Sequence, residues 1–308
     1  MKYLKLIRYQ NLLLLAFMQL VFCYGFLKLQ KIDLSLANWQ YILLVLSTVC
    51  IAAGGYIINN IMDQDSDLEN KPNDVVIGNS ISETLSYNLY VGFTLTGVGI
   101  GYYLSTVIMR PGFVVIFILA AALLYIYAVS LKQIMILGNV VIASLLSLSI
   151  LIIGVYMIFP ATYEGNQKEM KVVFSILIDY AIMAFIINLL REMVKDLEDI
   201  KGDYNQGLRT LPIVFGVKRT AKLIFGLSFI PLGILLYYTN EYFIANNLYL
   251  TAIYTLVFIV GPLLYFCIKM WSAQKQKEFN HLSTILKVII IFGILSLLVI
   301  SYNIKHHA

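Results

Sequence analysis

Residues 41–67 read YILLVLSTVCIAAGGYIINNIMDQDSD, an apolar run that ends in three closely spaced aspartates. The apolar part is long enough to cross the hydrocarbon core of a bilayer, which takes about 20 residues in a helix. Carboxylates beside lipid are costly unless a partner offsets their charge, and they are usually functional. This stretch therefore predicts a membrane helix that leads directly into a functional acidic segment.

The whole chain has the composition of a membrane protein. Of its 308 residues, 60% are hydrophobic and 13% are charged, and the mean hydropathy is +0.83. We expect an all-α, polytopic fold with nine transmembrane helices in a single domain, 1–308. A weak similarity between the two long polar loops suggests two four-helix halves plus a ninth helix. The nine spans are predicted at about 10–27, 37–62, 85–108, 112–131, 137–159, 172–190, 221–239, 247–270 and 284–303.

The basic residues indicate how the chain lies in the membrane. If the N-terminus is cytoplasmic, 16 of the 22 Lys and Arg residues fall on the cytoplasmic side. We expect an integral protein of a bacterial or archaeal cell membrane, with the polar loops at about 63–84 and 191–220 in the cytoplasm. The net charge of +5 then reflects topology and contact with membrane lipids, so nucleic acid is not expected as a partner. Nothing in the sequence calls for an obligatory protein partner.

Most of the acidic residues lie in those two loops. Five of the 17 fall in 63–74 and five in 192–203. If the membrane helices continue into the loops, each cluster lines one helical face at steps of three or four residues. The two stripes are Asn59, Asp63 and Asp67 in the first loop, and Asn188, Glu192, Asp196, Asp199 and Asp203 in the second.

Two such stripes require a cation, because like charges at this spacing destabilise a helix. Oxygen ligands without His or Cys favour a hard cation such as Mg²⁺. In proteins Mg²⁺ typically uses one or two carboxylates together with the oxygens of a substrate phosphate. The stripes therefore predict a site for a metal-bridged diphosphate.

Three basic residues accompany the stripes on the same predicted side. Lys71 follows the first stripe, Arg209 follows the second, and Lys132 closes the fourth span. A lone lysine at a helix end is commonly a lipid anchor, and a phosphate contact is the alternative. Asp179 lies 17 residues before Asp196, roughly 25 Å away along a helix. We expect it near the opposite membrane face, as a structural polar contact or a feature of a lateral exit.

These motifs resemble those of the UbiA superfamily of intramembrane prenyltransferases. The family's N-D-x-x-D-x-x-x-D followed by R-P is similar to Asn59, Asp63, Asp67 and Lys71-Pro72, with Asn60 replacing an aspartate and Lys71 the arginine. The family's D-x-x-D-x-x-x-D-x-x-x-G followed by T-L-P is similar to Asp196, Asp199, Asp203, Gly207 and Thr210-Leu211-Pro212. Tyr127 to Lys132 and Gly138-Asn139 resemble two further family elements.

The resemblance implies a helical bundle around a central cavity that two cytoplasmic loops cap. It implies Mg²⁺-dependent transfer of a prenyl group from a prenyl diphosphate to a lipophilic acceptor, with the ring of Tyr127 facing the allylic cation. The catalytic residues implied are Asp63, Asp67, Asp196, Asp199, Asp203 and Tyr127. The metal ligands implied are Asp63, Asp67, Asp199 and Asp203, and the diphosphate contacts are Asn59, Lys71, Lys132 and Arg209.

The identity of the acceptor stays open at this point. Residues 191–203, REMVKDLEDIKGD, look most like the branch that adds geranylgeranyl groups to glycerol-phosphate ethers. The quinone, chlorophyll and haem branches share much of this segment. A divalent-cation transporter is the competing class of function, but it would need polar groups along a path through the membrane, and only Asp179 lies deep. The D-G-x-x-A-R motif of membrane CDP-alcohol phosphotransferases is absent.

Overall fold

The computed structural model describes residues 2–70 and 75–307. Within these ranges eight helical segments are long and apolar enough to cross a membrane, and Glu83–Val107 is a helix of comparable length. We number these segments α1 to α9. They are α1 Tyr9–Gln30, α2 Asn38–Met62, α3 Glu83–Val107, α4 Pro111–Val129, α5 Leu137–Ala161, α6 Gln167–Glu198, α7 Val217–Ile244, α8 Tyr249–Ser272 and α9 Gln276–His306.

The expected all-α membrane fold is thus confirmed, and α3 differs from the other helices in polarity. It occupies the position of the predicted third span but contains Thr, Ser, Asn and Gly residues, which lower its hydropathy. Its 25 residues correspond to about 37 Å of helix, enough to cross a bilayer. It packs mainly along α2, so part of its polar surface faces protein.

Small residues bring α2 and α3 close together. The Ser47 hydroxyl donates to the carbonyl oxygen of Gly97 at 2.7 Å. A Cβ atom at Gly97 would stand 2.6 Å from a side-chain carbon of Ile51 and 2.9 Å from the Ser47 carbonyl oxygen. Close backbone approach and interhelical hydrogen bonds of this kind drive helix association in lipid, where apolar burial contributes little.

Two short helices lie together at one end of the bundle. Gln64–Asn70 follows α2, Ile200–Asn205 follows α6, and the two pack against each other. The N-terminal segment is at the same end, because the Lys2 ammonium donates to the Ser80 carbonyl at 3.1 Å. The first and second polar loops therefore meet on the side of the bundle that also carries the N-terminus, as the sequence predicts.

The contact between α2 and α3 predicts that Gly97→Ala lowers the melting temperature of the purified protein. The added methyl group overpacks the crossing by about 1–3 kcal/mol, which exceeds the gain of about 1 kcal/mol from alanine in a helix. Gly99→Ala is the matched control, because a Cβ atom there meets nothing within 4 Å. Equal melting temperatures for the two variants in thermal unfolding would contradict this account of the crossing.

Candidate active site

Each aspartate motif lies where a membrane helix gives way to a short helix. The residue after α2 is Asp63, with φ −98° and ψ 9°, and the residue after α6 is Asp199, with φ −96° and ψ 9°. Both conformations lie in the sparsely populated bridge region, where many active-site residues are found. The backbone N–H groups of Asp67 and Asp203 then donate to the carbonyl oxygens of Asp63 and Asp199, at 2.8 and 3.2 Å.

The two stripes are therefore not single uninterrupted helical faces, and the sequence analysis was wrong in extending the membrane helices through them. Like charges four residues apart oppose a continuous helix, and each helix is interrupted at the aspartate itself. The two short helices that follow are in contact, so the next part of each motif lies beside the other motif.

The connection between α4 and α5 joins both motifs. Lys132 donates to the carboxylate of Asp63, and the two side chains are 12% and 19% exposed. The amide of Asn139 donates to the Asp196 carboxylate at 2.8 Å. The backbone N–H of Arg209 donates to the Gln133 carbonyl at 3.3 Å. The eight residues 132–139 thus contact the first motif, the second motif and the segment that follows the second.

Asn59 lies between these carboxylates and the interior of the bundle. Its amide nitrogen donates to Asp63 at 2.6 Å. Its amide oxygen is buried and has no hydrogen-bond partner among the described residues, so a donor or a cation is the missing partner. Asn59 and Tyr127 both line a central cavity, which places these two predicted site residues where an aspartate-bound ligand would enter it.

The charged form of the Asp203 carboxyl is disfavoured, first by burial and then by neighbouring carboxylates. Burial raises the pKa of its carboxyl from 3.8 to about 7, and the negative charges of Asp199 and Asp63 add to the effect, whereas Lys132 opposes it. In the described residues no group of three or more Asp, Glu, His or Cys side chains stands ready to hold a metal. Carboxylate oxygens suit Mg²⁺, which typically takes one or two carboxylates and completes its coordination with water or substrate oxygens.

The remaining predicted site residues differ in how far they are buried. Asp67 is partly buried, and the Arg209 side chain is exposed. Lys71 lies outside the described residues. Asp179 also lines the cavity, where the Tyr238 hydroxyl donates to it.

The cavity is large and mainly apolar. Its volume is about 1040 Å³, at the upper end of the roughly 300–1,000 Å³ of ligand pockets. Its walls come from α1, α2 and α4 to α9. Its lining includes Asn59, next to the aspartate motifs, and Asp179, which lies 20 residues before Asp199 in the chain. It is suited to shelter long hydrocarbon chains whose charged groups lie at the aspartate end.

A second charged cluster lines the same end of the cavity; the sequence analysis placed its Glu192 in the second stripe but assigned its cations to no site. It consists of Arg8, Arg191, Glu192, Lys195 and Lys287. These residues come from the start of α1, the last turns of α6 and the first turns of α9. One signal was available, because Lys287 falls inside the predicted ninth span and charges inside spans are usually functional.

The raised pKa of Asp203 predicts that Asp203→Asn is more stable than wild type by an amount that depends on pH. In the metal-free protein, Asp203 holds its proton between pH 3.8 and about 7, where the unfolded chain releases it, so wild-type stability falls across that window. The asparagine variant lacks this titration. Its melting temperature in chelator should exceed that of wild type by a margin that grows up to about pH 7 and is then constant. A margin independent of pH would show that Asp203 is not strained by its surroundings.

Comparison with known proteins identifies the family. The profile of the UbiA prenyltransferase family matches residues 12–300. The chain is 33% identical over 196 residues to the digeranylgeranylglyceryl phosphate synthase of Korarchaeum cryptofilum, covering 63% of each chain, which is less than two thirds of that relative's length. It is 30% identical to the enzyme of the same name from Methanosphaera stadtmanae, covering 79% of this chain and 81% of the relative.

A solved structure shares the fold. The structure of a UbiA homolog from Archaeoglobus fulgidus bound to DMAPP and Mg²⁺ superposes with a TM-score of 0.61 at 17% identity, covering 96% of this chain and 99% of that one. The family profile and the shared fold agree with the family that the aspartate motifs indicate. The chain therefore belongs to the UbiA prenyltransferase family.

Proposed function

We propose that this protein transfers a geranylgeranyl group from its diphosphate to the hydroxyl group of a geranylgeranylglycerol phosphate-like lipid, with Mg²⁺ as cofactor. The observation that carries the proposal is the meeting of both aspartate motifs with Lys132 and Asn59 at one end of a large apolar cavity. The named activity of the relatives supports the choice of acceptor, as does the segment 191–203.

The diphosphate of the donor would lie between the two short helices. Asp63 and Asp67 would hold one Mg²⁺, and Asp199 and Asp203 a second, in line with the Mg²⁺ and prenyl diphosphate bound by the Archaeoglobus homolog. Bound Mg²⁺ supplies the positive charge that stabilises the departing diphosphate. Lys132 adds a charge-assisted contact from the Asp63 side, where it already lies. The unpartnered amide oxygen of Asn59 would contact the metal or its water.

The reaction then proceeds at the boundary between the charged site and the apolar cavity. The bond between the first prenyl carbon and the diphosphate oxygen breaks, and the diphosphate leaves with the electron pair. The ring of Tyr127, which lines the cavity, faces the allylic cation and stabilises it. The acceptor hydroxyl oxygen attacks the same carbon to form the ether bond, and its proton passes to the departing diphosphate. Apolar walls exclude the water that would otherwise capture the cation.

The proposal predicts one product among several candidates. The purified protein, given geranylgeranyl diphosphate, Mg²⁺ and a mixture of geranylgeranylglycerol phosphate and an aromatic quinone precursor, should prenylate the glycerol phosphate lipid, as read by mass spectrometry. A chelator should abolish the product.

Asp199→Asn should reduce turnover by about 10²-fold or more through lost leaving-group stabilisation. The matched control is Asp65→Asn, an exposed carboxylate in the same loop region, which should retain turnover. Prenylation of the aromatic compound alone would refute the assigned acceptor.

We also propose that the aspartate site faces the cytoplasm, because the basic residues favour that side. Tyr204→Cys places a thiol on the exposed surface of the second short helix, where Tyr204 is 71% exposed. Tyr163→Cys places one between α5 and α6 at the other end of the bundle, where Tyr163 is 60% exposed. The native cysteines are buried and give a low background. An impermeant thiol reagent applied to intact cells should label Tyr163→Cys and leave Tyr204→Cys unlabelled, and the opposite pattern would reverse the topology.

A further inference from the structure

The second charged cluster carries more positive than negative charge. Of the described side chains that line this end of the cavity, Arg8, Arg191, Lys195 and Lys287 are cationic, and Glu192 is the carboxylate among them. Glu192 accepts from Lys195 at 2.6 Å and lies 3.6 Å from the Arg191 guanidinium. One carboxylate therefore serves two cations and leaves Arg8 and Lys287 to neutral partners.

Those neutral partners are weak substitutes for an anion. The Lys287 ammonium donates to the side-chain oxygen of Asn11 at 3.3 Å. The Arg8 guanidinium donates to Asn60 at 3.2 Å and lies 5.5 Å from the centre of the Tyr56 ring. Charge-assisted bonds to an ionised acceptor are about twice as strong as bonds to neutral groups. Both cations therefore have unused capacity to bind an anion.

Arg191 points to the position of that anion. Its side chain is 17% exposed, and its Nε atom is buried without a hydrogen-bond partner in the part of the chain that the structure describes. A guanidinium can bind phosphate through two parallel hydrogen bonds, one from Nε–H and one from a terminal N–H group. Arg8 adds a further indication of a functional position, because it adopts a left-handed backbone conformation with φ 48° and ψ 53°, and such strain clusters at ligand-binding sites.

The cluster is separate from the proposed diphosphate site. Along α6, Arg191 precedes Asp199 by eight residues, about 12 Å at the helical rise. The donor diphosphate has its own cationic partners in Mg²⁺ and Lys132. A second anion in the same cavity must come from the other substrate, and an apolar acceptor with a phosphate matches both the cluster and the apolar walls.

We infer that Arg8, Arg191 and Lys287 bind the phosphate group of the acceptor lipid and thereby select phosphorylated acceptors. This inference rests on the proposed function for the identity of the acceptor. Glu192 holds Lys195 and restrains Arg191, so it orients the cationic surface rather than binding the phosphate. The phosphate and the hydroxyl of a glycerol lipid are a few bonds apart. Binding the phosphate in this cluster therefore positions the hydroxyl near the donor diphosphate.

The experiment compares two variants with matched controls. Arg191→Gln and Lys287→Gln remove one cation each from the cluster. Arg219→Gln and Lys218→Gln remove the same side chains from exposed positions at the start of α7, outside the cavity. Steady-state kinetics are measured on the full chain in detergent with geranylgeranyl diphosphate and Mg²⁺, with geranylgeranylglycerol phosphate or its dephosphorylated alcohol as acceptor. Thermal unfolding checks that each variant is folded.

The cluster variants should raise the KM for the phosphorylated acceptor by about tenfold or more, as expected for a lost charge-assisted contact. The KM for the donor should change much less, and the preference for the phosphorylated acceptor over the alcohol should fall. Arg191→Lys should recover part of that preference. The controls should behave as wild type. A rise in the donor KM instead would assign the cluster to the diphosphate, and an unchanged preference would leave these residues as lipid anchors, so either result overturns the inference.

Direct binding separates this inference from the proposed function. Binding of geranylgeranylglycerol phosphate is measured without donor or Mg²⁺ on wild type and on Arg191→Gln. Weaker binding to the variant supports the phosphate site even if wild type transfers no prenyl group to this lipid, a result that would refute the proposed function alone. Equal binding to both proteins, or no binding to wild type, overturns the phosphate site whatever the transfer assay gives.

Discussion

The negative charge of the aspartate site must be offset at the end of a largely apolar bundle, and Lys132 offsets it at Asp63. Its contact with Asp63 joins α4 to the end of α2, and seven residues later Asn139 joins the start of α5 to α6 through Asp196. Without these contacts, the two motifs would face each other across a gap with like charges. The connection between α4 and α5 is therefore the element on which the geometry of the site depends.

That connection is held in an unusual backbone shape. Ile136 has φ 66° and ψ −38°, a conformation that is rare for a β-branched residue. At Gly138 a Cβ atom would stand 2.9 Å from the Cα atom of Lys132, so glycine permits the turn to close on itself. The strain at Ile136 is tolerated because the contacts at Lys132 and Asn139 fix the connection at both ends.

The sequence predicts the helices and motifs that depend on neighbouring residues in the chain. It misses the contacts that form only when distant segments pack together. Hydropathy places eight of the nine long helices among the described residues, and spacing predicts the two aspartate motifs, which the structure brings together. The turn at each of these aspartates was not predicted, because spacing fits an unbroken helix equally well. Lys287 was missed for a different reason, since its partner Asn11 lies 276 residues away in the chain. Only the packing of α9 beside α1 brings that cation into the cavity.

Under the proposed function, the order of charges along α6 would allow one cavity to accommodate two anionic substrates. Within nine residues the helix passes from Arg191 through the Glu192–Lys195 pair to Asp196 and Asp199. Two phosphate-bearing groups would repel each other if they shared one binding site, and this repulsion is strong in a cavity with apolar walls. With metal bound at the acidic region and the acceptor phosphate at the cationic region, the two groups would lie about two to three helical turns apart. The same separation would direct both hydrocarbon chains into the apolar interior and would leave the reacting carbon and hydroxyl oxygen between the two charged regions.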